Sequence, residues 1–251
     1  MNALPLDFLV VAVQNGAEQP GTILGIPVLW LAIFVGTAIA SFMVQSKLKR
    51  RFEEYSRDPM PMTGREVAER MLRENGITDV EVTHTPGQLT DHYNPAKKTV
   101  NLSEGVYQAN SVAAAAIAAH ECGHAVQHAQ AYHWLKLRSA LVPVTNAASR
   151  MMNVLMILMF VGMFVMQSEL PFLLFIGCLA VVTLFSIITL PVEFDASKRA
   201  MVWLRASGLA GTMQQDKAQN ALFWAAMTYV VAALSSLAML LYYLMIFLNR
   251  R

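Results

Sequence analysis

Long apolar runs without charge alternate with polar stretches along this chain. Residues 22–44 carry no charge, and a helix that spans a bilayer needs roughly 20 predominantly apolar residues. Residues 170–190, LPFLLFIGCLAVVTLFSIITL, make a second clean run, and 221–248 make a longer one. The run from Met151 to Met166 is shorter. It reaches spanning length if its helix begins near Thr145 and Arg150 extends its charge to the interface. The pattern therefore predicts four transmembrane helices, at 22–44, 145–166, 170–190 and 221–248. The first is read as an anchor, because it lacks a basic leader and runs directly into KLKRR, opposite to the charge order of a secretory signal.

Between the first two spans the pattern changes. Residues 45–57 continue the first helix until Pro59 and Pro61 end it. Thr63 and Glu66 have capping-box spacing, Val67, Met71 and Leu72 form an apolar stripe, and Gly76 suits a helix C-terminus. DVEVT at 79–83 alternates as a strand does, and KTVNLS at 98–103 reads as another. The stretch 86–95 between them reads as a loop, punctuated by Pro86, Gly87 and Asn94–Pro95. From about Ser111 to Ala131 an alanine-rich segment favours helix. Its apolar lead-in before His120 is too short to span a membrane. The expected architecture is a mainly α membrane protein whose residues 45–140 form a small α+β domain. Residues 191–220 form a second polar helical segment.

Composition agrees with that picture: 55% of residues are hydrophobic, 14% are charged, and mean hydropathy is +0.42. The formal charge of +2 comes from juxtamembrane clusters, and no basic-aromatic patch suggests a nucleic-acid partner. Lys47, Lys49, Arg50 and Arg51 follow the first span, and Lys136 and Arg138 precede the second. The tail 1–21 and QSEL at 167–170 have no basic residue. The positive-inside rule then places the tail 1–21 outside, and 45–140 and 191–220 in the cytoplasm. By parity Arg250 and Arg251 fall outside, against the rule. Cys122 and Cys178 lie in a cytoplasmic helix and a span, so no disulfide is expected.

The chemistry lies in IAAHECGHAVQH, residues 117–128. His120-Glu121-Cys122-Gly123-His124 is H-E-x-x-H. Residues four apart on a helix share a face, so His120 and His124 can hold one Zn²⁺. Glu121 then stands beside the metal as a general base. His128 continues the spacing, but it lies about 12 Å along the axis from His120, so it is not a third ligand. The metzincin arrangement is absent too, since its glycine and third-histidine positions hold Gln127 and Gln130. The third ligand is sought instead in PVEFDASKRA, 191–200, where Pro191 suits the first turn of a helix. On a helix Glu193 shares a face with the small residues Ala196, Ser197 and Ala200, as close packing at a metal requires. Asp195 points away and sits four before Arg199, at ion-pair spacing. Glu193 is the expected ligand, and Asp195 a structural residue or a support behind a ligand.

The stretches LTDHYNP (89–95), VNLSEGVY (100–107), SVAAAAIAAHECGHAVQHAQ (111–130), LRSALVP (137–143) and LPVEFDASKRA (190–200) resemble the bacterial membrane-bound neutral zinc metallopeptidases of the YugP-like family. The resemblance covers nearly the whole chain. More distantly the chain is similar to the membrane gluzincins, HtpX and the CAAX prenyl protease, whose E-x-x-A-D segment supplies a zinc-binding Glu. Glu193 and Ala196 fit that pattern, with Ser197 in the final Asp position. The resemblance implies a zincin-like catalytic domain with one zinc ion, at the bacterial cytoplasmic membrane and facing the cytoplasm. It also implies that a strand near Thr99, Val100, Asn101 and Leu102 pairs with substrate as an exposed edge. His92, Tyr93 and Arg199 are candidate oxyanion donors, and His128 a candidate for facing substrate or supporting a ligand. The expected function is a membrane-anchored zinc endopeptidase acting on protein or peptide substrates through a zinc-activated water, with Glu121 as base. Intramembrane or juxtamembrane proteolysis, and a non-catalytic scaffold stabilised by zinc, are the alternatives.

Overall fold

The computed structural model describes residues 22–23, 26–162 and 170–249. The tail 1–21, the end of the second span past Gly162, residues 167–169, Arg250 and Arg251 lie outside the described residues. Among the described residues, four long helices are apolar enough to cross a membrane. They are α1 (Val28–Tyr55), α5 (His133–Gly162), α6 (Leu170–Ala206) and α7 (Thr212–Leu248). The protein is therefore a mainly α, multi-pass membrane protein with a small α/β domain. Before α1, Thr22–Ile23 (β1) pairs antiparallel with Ile26–Pro27 (β2), so the first helix starts at Val28 rather than at residue 22.

The long helices continue past the sequence-predicted ends of their spans. At 1.5 Å per residue, the 37 residues of α6 and of α7 each measure about 55 Å, well over a hydrocarbon core of about 30 Å. The boundaries drawn near residues 145, 190 and 221 fall inside unbroken helices. Pro191, read as a helix start, is internal to α6, and Pro143 is internal to α5. Such prolines give up one helical hydrogen bond, a loss that membrane helices tolerate through neighbouring groups.

Backbone packing divides the chain into two compact units. Of the described residues, one comprises those within 22–42, 140–187 and 231–249, the other 43–139 and 188–230. In the first unit, Leu155, Phe175 and Leu179 form a small core.

The second unit carries the H-E-x-x-H segment. Helix α2 (Gly64–Glu74) opens on the expected capping box. Thr63 accepts from the Glu66 backbone N–H, and the Glu66 carboxylate accepts from the Thr63 N–H at 2.7 Å. It closes as expected too. Gly76 takes φ +70°, and the Ile77 and Gly76 N–H groups donate back to the Leu72 and Arg73 carbonyls. Three strands follow, β3 (Glu81–Thr85), β4 (His92–Asn94) and β5 (Thr99–Ser103), then a short helix α3 (Glu104–Tyr107) and α4 (Val112–Ala129). Ser111 caps α4 by accepting from Ala114 N–H.

Two expectations need correction. His92–Asn94, read as loop, is a strand. And the strand order is β3-β5-β4, with β5 parallel to β3 and antiparallel to β4. Thr99, Val100 and Asn101 therefore lie between β3 and β4 with both sides paired and offer no edge to a substrate, whereas Leu102 is paired only with His84 of β3. The core of this unit joins Val67, Met71 and Leu72 of α2, Val100 and Leu102 of β5 and the alanines of α4.

Candidate metal centre

His120 and His124 stand one turn apart on α4, as their spacing requires, with Glu193 of α6 opposite them. One ligand atom from each of the three lies within 4.8 Å of the others. The Glu193 Oε2 is 3.3 Å from His120 Nε2 and 3.5 Å from His124 Nε2. That oxygen is buried and accepts no hydrogen bond. An unpaired buried carboxylate oxygen is costly, so its position asks for a cation. Two donors each about 2.0–2.1 Å from one tetrahedral ion stand roughly 3.3 Å apart, and these spacings match. The nitrogen and oxygen donor set suits zinc.

The helices approach closely because their facing residues are small. A Cβ on Gly123 would lie 2.6 Å from the Ala196 carbonyl oxygen, so only glycine fits between the two zinc-spaced histidines. Ala196 and Ala200 are fully buried on the facing side of α6.

The far nitrogens of both imidazoles are engaged. His120 Nδ1 is 3.1 Å from Ser197 Oγ. His124 Nδ1 is 3.0 Å from Gln127 Oε1. The Gln127 Nε2 donates to the Val192 carbonyl and to Asp195 Oδ2, both at 2.8 Å. Because that end of the amide faces two acceptors, its oxygen must face His124. His124 therefore carries its proton on Nδ1 and leaves the Nε2 lone pair toward Glu193. Asp195 is held in turn by Arg199 Nε at 2.5 Å, and Arg199 Nη1 donates to Gln130 Oε1 at 2.6 Å. Burial pushes the Cys122 thiol far up, and its Sγ–H faces the Ala68 carbonyl at 3.6 Å, an inert setting.

Glu121 lies beside His120, and both line a cavity together with Glu193 and Ser197. Two residues that sequence reasoning passed over stand at this site. Tyr229 of α7 lines the same cavity, in the electrostatic field of Glu193 and Glu121. Arg138 of α5, counted before only as a basic flank, brings Nη2 to 3.6 Å from Glu193 Oε1. Neither could be found from local spacing, because each comes from a helix distant in sequence.

The remaining candidates lie elsewhere. His128 is exposed and bonded through Nδ1 to the Tyr93 hydroxyl at 2.7 Å. His92 is exposed with Nδ1 at 2.8 Å from the Thr90 carbonyl. Arg199 is occupied by Asp195 and Gln130 and lines a separate depression with them. It supports the Gln127 network and is not placed to meet a substrate carbonyl.

The fold and the His-His-Glu cluster define a membrane-embedded zinc hydrolase. Residues 30–248 match the family described as "Putative neutral zinc metallopeptidase", and the chain belongs to that family. It is similar to a Bacillus subtilis (strain 168) protein named "Putative membrane protease YugP". The two are 40% identical over 225 residues, which cover 89% of this chain and 98% of the relative. No solved structure matches the chain.

Proposed function

We propose that the chain is a zinc endopeptidase whose site faces the cytoplasm, with His120, His124 and Glu193 as ligands and Glu121 as general base. The observation that carries this reading is the buried, unpartnered Glu193 Oε2 set against two imidazole Nε2 atoms. When bound there, zinc supplies Lewis-acid polarisation of a water and of the scissile carbonyl. Glu121 would take the proton of the attacking water and return it to the nitrogen of the departing amine. Tyr229, which lines the cavity with Glu121, is our preferred oxyanion donor over His92, Tyr93 and Arg199, and Arg138 beside Glu193 is a second candidate. With Thr99, Val100 and Asn101 enclosed between two strands, the edge strand near α4 for pairing an extended peptide is β4. A structural zinc site is usually closed by four protein ligands. The cavity beside Glu121 leaves this one open, which favours catalysis over scaffolding.

The test is zinc content and peptide hydrolysis on the purified full chain. Glu121→Gln should retain zinc while hydrolysis falls by about 10²–10⁴. Glu193→Ala should lose both. Wild-type hydrolysis by Glu121→Gln would refute the assignment.

A further inference from the structure

The cavity at Glu121 is apolar over most of its surface, with Asp91, Glu193, Ser197 and Tyr229 adding polar groups at the catalytic end. Besides His120 and Glu121 its walls include Leu48 and Phe52 of α1 and Ala221 and Ala225 of α7. Each pair is four residues apart and so presents one helical face. Its volume is about 150 Å³. An apolar cavity of roughly that size accepts a benzene-sized group. Against the apolar part of its wall a bulky apolar side chain is favoured, because a polar one gives up hydration there. Small Ala221 and Ala225 leave the space that larger residues would fill.

Its place along the helices is equally informative. Leu48 lies within the basic cluster Lys47, Lys49, Arg50 and Arg51 that follows the first span. Lys47 sits over the Trp224 ring at 5.8 Å, so the same collar is shared by α1 and the cavity-lining turn of α7. Basic and tryptophan side chains gather at the headgroup level of a bilayer. Glu193 comes three residues after the apolar run 170–190 ends, about 4.5 Å farther along α6. Phe194 and Phe223, beside this site in sequence, are large and exposed, at 43% and 49%. Lipid contact suits them better than water.

We propose that the substrate is a polypeptide anchored in the same bilayer, cut close to the membrane surface beside a bulky apolar side chain that fills this cavity. This rests on the peptidase reading above and specifies its substrate class.

The test uses full-length, zinc-loaded protein in phospholipid vesicles with reporter polypeptides carrying one transmembrane helix. The reporters place Leu, Phe, Ala or Asp beside the bond to be cut, either within about two helical turns of the anchor or far from it. Matched reporters lack the anchor. Cleavage should be at least about tenfold faster beside Leu or Phe than beside Ala, as a filled apolar pocket allows. It should be confined to anchored reporters with near-membrane sites. Ala225→Phe, which fills the cavity, should reverse the preference toward Ala while zinc content stays unchanged. Ala221→Leu provides a milder filling should the first variant not fold. Equal cleavage of anchored and unanchored reporters, or a preference unmoved by filling, overturns this inference and leaves the peptidase intact. A zinc-loaded wild-type chain that cuts no polypeptide, unfolded soluble ones included, overturns both.

Discussion

Helix α4 packs against α2 and α6 by opposite rules. Toward α2 it presents alanines to the large side chains Val67, Met71 and Leu72. Toward α6 it presents Gly123, His120, His124 and Gln127 to Ala196, Ser197, Glu193 and Asp195. The first contact is apolar and adjusts by shifting side chains. The second brings main chain to main chain and commits polar groups to fixed partners. One side holds the domain together, and the other holds a geometry. A helix that must do both needs small residues on each side, since a large one would set the helix spacing before the ligands could meet. That is why the H-E-x-x-H segment sits in a run of alanines.

Gly123→Ala is the hardest blow to this contrast. The added Cβ meets the Ala196 backbone at 2.6 Å, and backbone cannot rotate aside. Separating α4 from α6 draws Glu193 away from both imidazoles. Zinc content should drop to background and hydrolysis with it, although the α2 side is untouched. Normal zinc stoichiometry in the variant would show that the close approach is incidental.

Met71→Ala attacks the other side. Met71 is fully buried, and large-to-small changes at such sites cost about 2–5 kcal/mol. Thermal or denaturant unfolding should register that loss, while the folded fraction binds zinc as tightly as wild type. A matching loss of zinc affinity would mean that the two sides of α4 are not independent. Gln127→Ala should do the reverse. Without it His124 loses its Nδ1 acceptor, and both the Val192 carbonyl and Asp195 lose a donor. Removing such a support costs about 10–100-fold in metal affinity. Competition with a chelator would measure it, and a value equal to wild type would remove Gln127 from the site.

The two sides also differ in how far the sequence disclosed them. The α2 side was legible in detail, because caps and apolar stripes are local: Thr63, Glu66, Met71 and Gly76 all act within a few residues. At the centre, H-E-x-x-H spacing picked out His120, Glu121 and His124, and small residues around Glu193 pointed to a closely packed helix. What stayed hidden depends on separate segments meeting. Gln127 looked like any polar residue near a helix end, and its amide gains meaning only from Val192 and Asp195. Arg138 and Tyr229 arrive from α5 and α7. The central place of β5 followed from no local signal either. Alternation marks a strand but not its neighbours, and the three residues of β4 were masked by the turn residues around them.

The gentlest probe is Thr63→Ala at the start of α2. Thr63 caps that helix by accepting from the Glu66 N–H, and its own N–H and hydroxyl donate to the Glu66 carboxylate. Losing an N-cap of this kind costs about 0.5–2 kcal/mol. Contact with Thr63 holds the Glu66 carboxyl below its usual pKa. A lowered carboxylate pKa contributes stability above the unfolded value, and that contribution fades as pH falls through the folded one. Thr63→Ala keeps the backbone N–H that does most to lower this pKa and loses the hydroxyl, so its destabilisation should be largest near neutral pH and shrink in acid only by the share of the hydroxyl–carboxylate bond. Unfolding curves of both proteins across that range would show it. Zinc affinity should not move with either, since the box lies at the end of the helix that packs on the apolar side of α4.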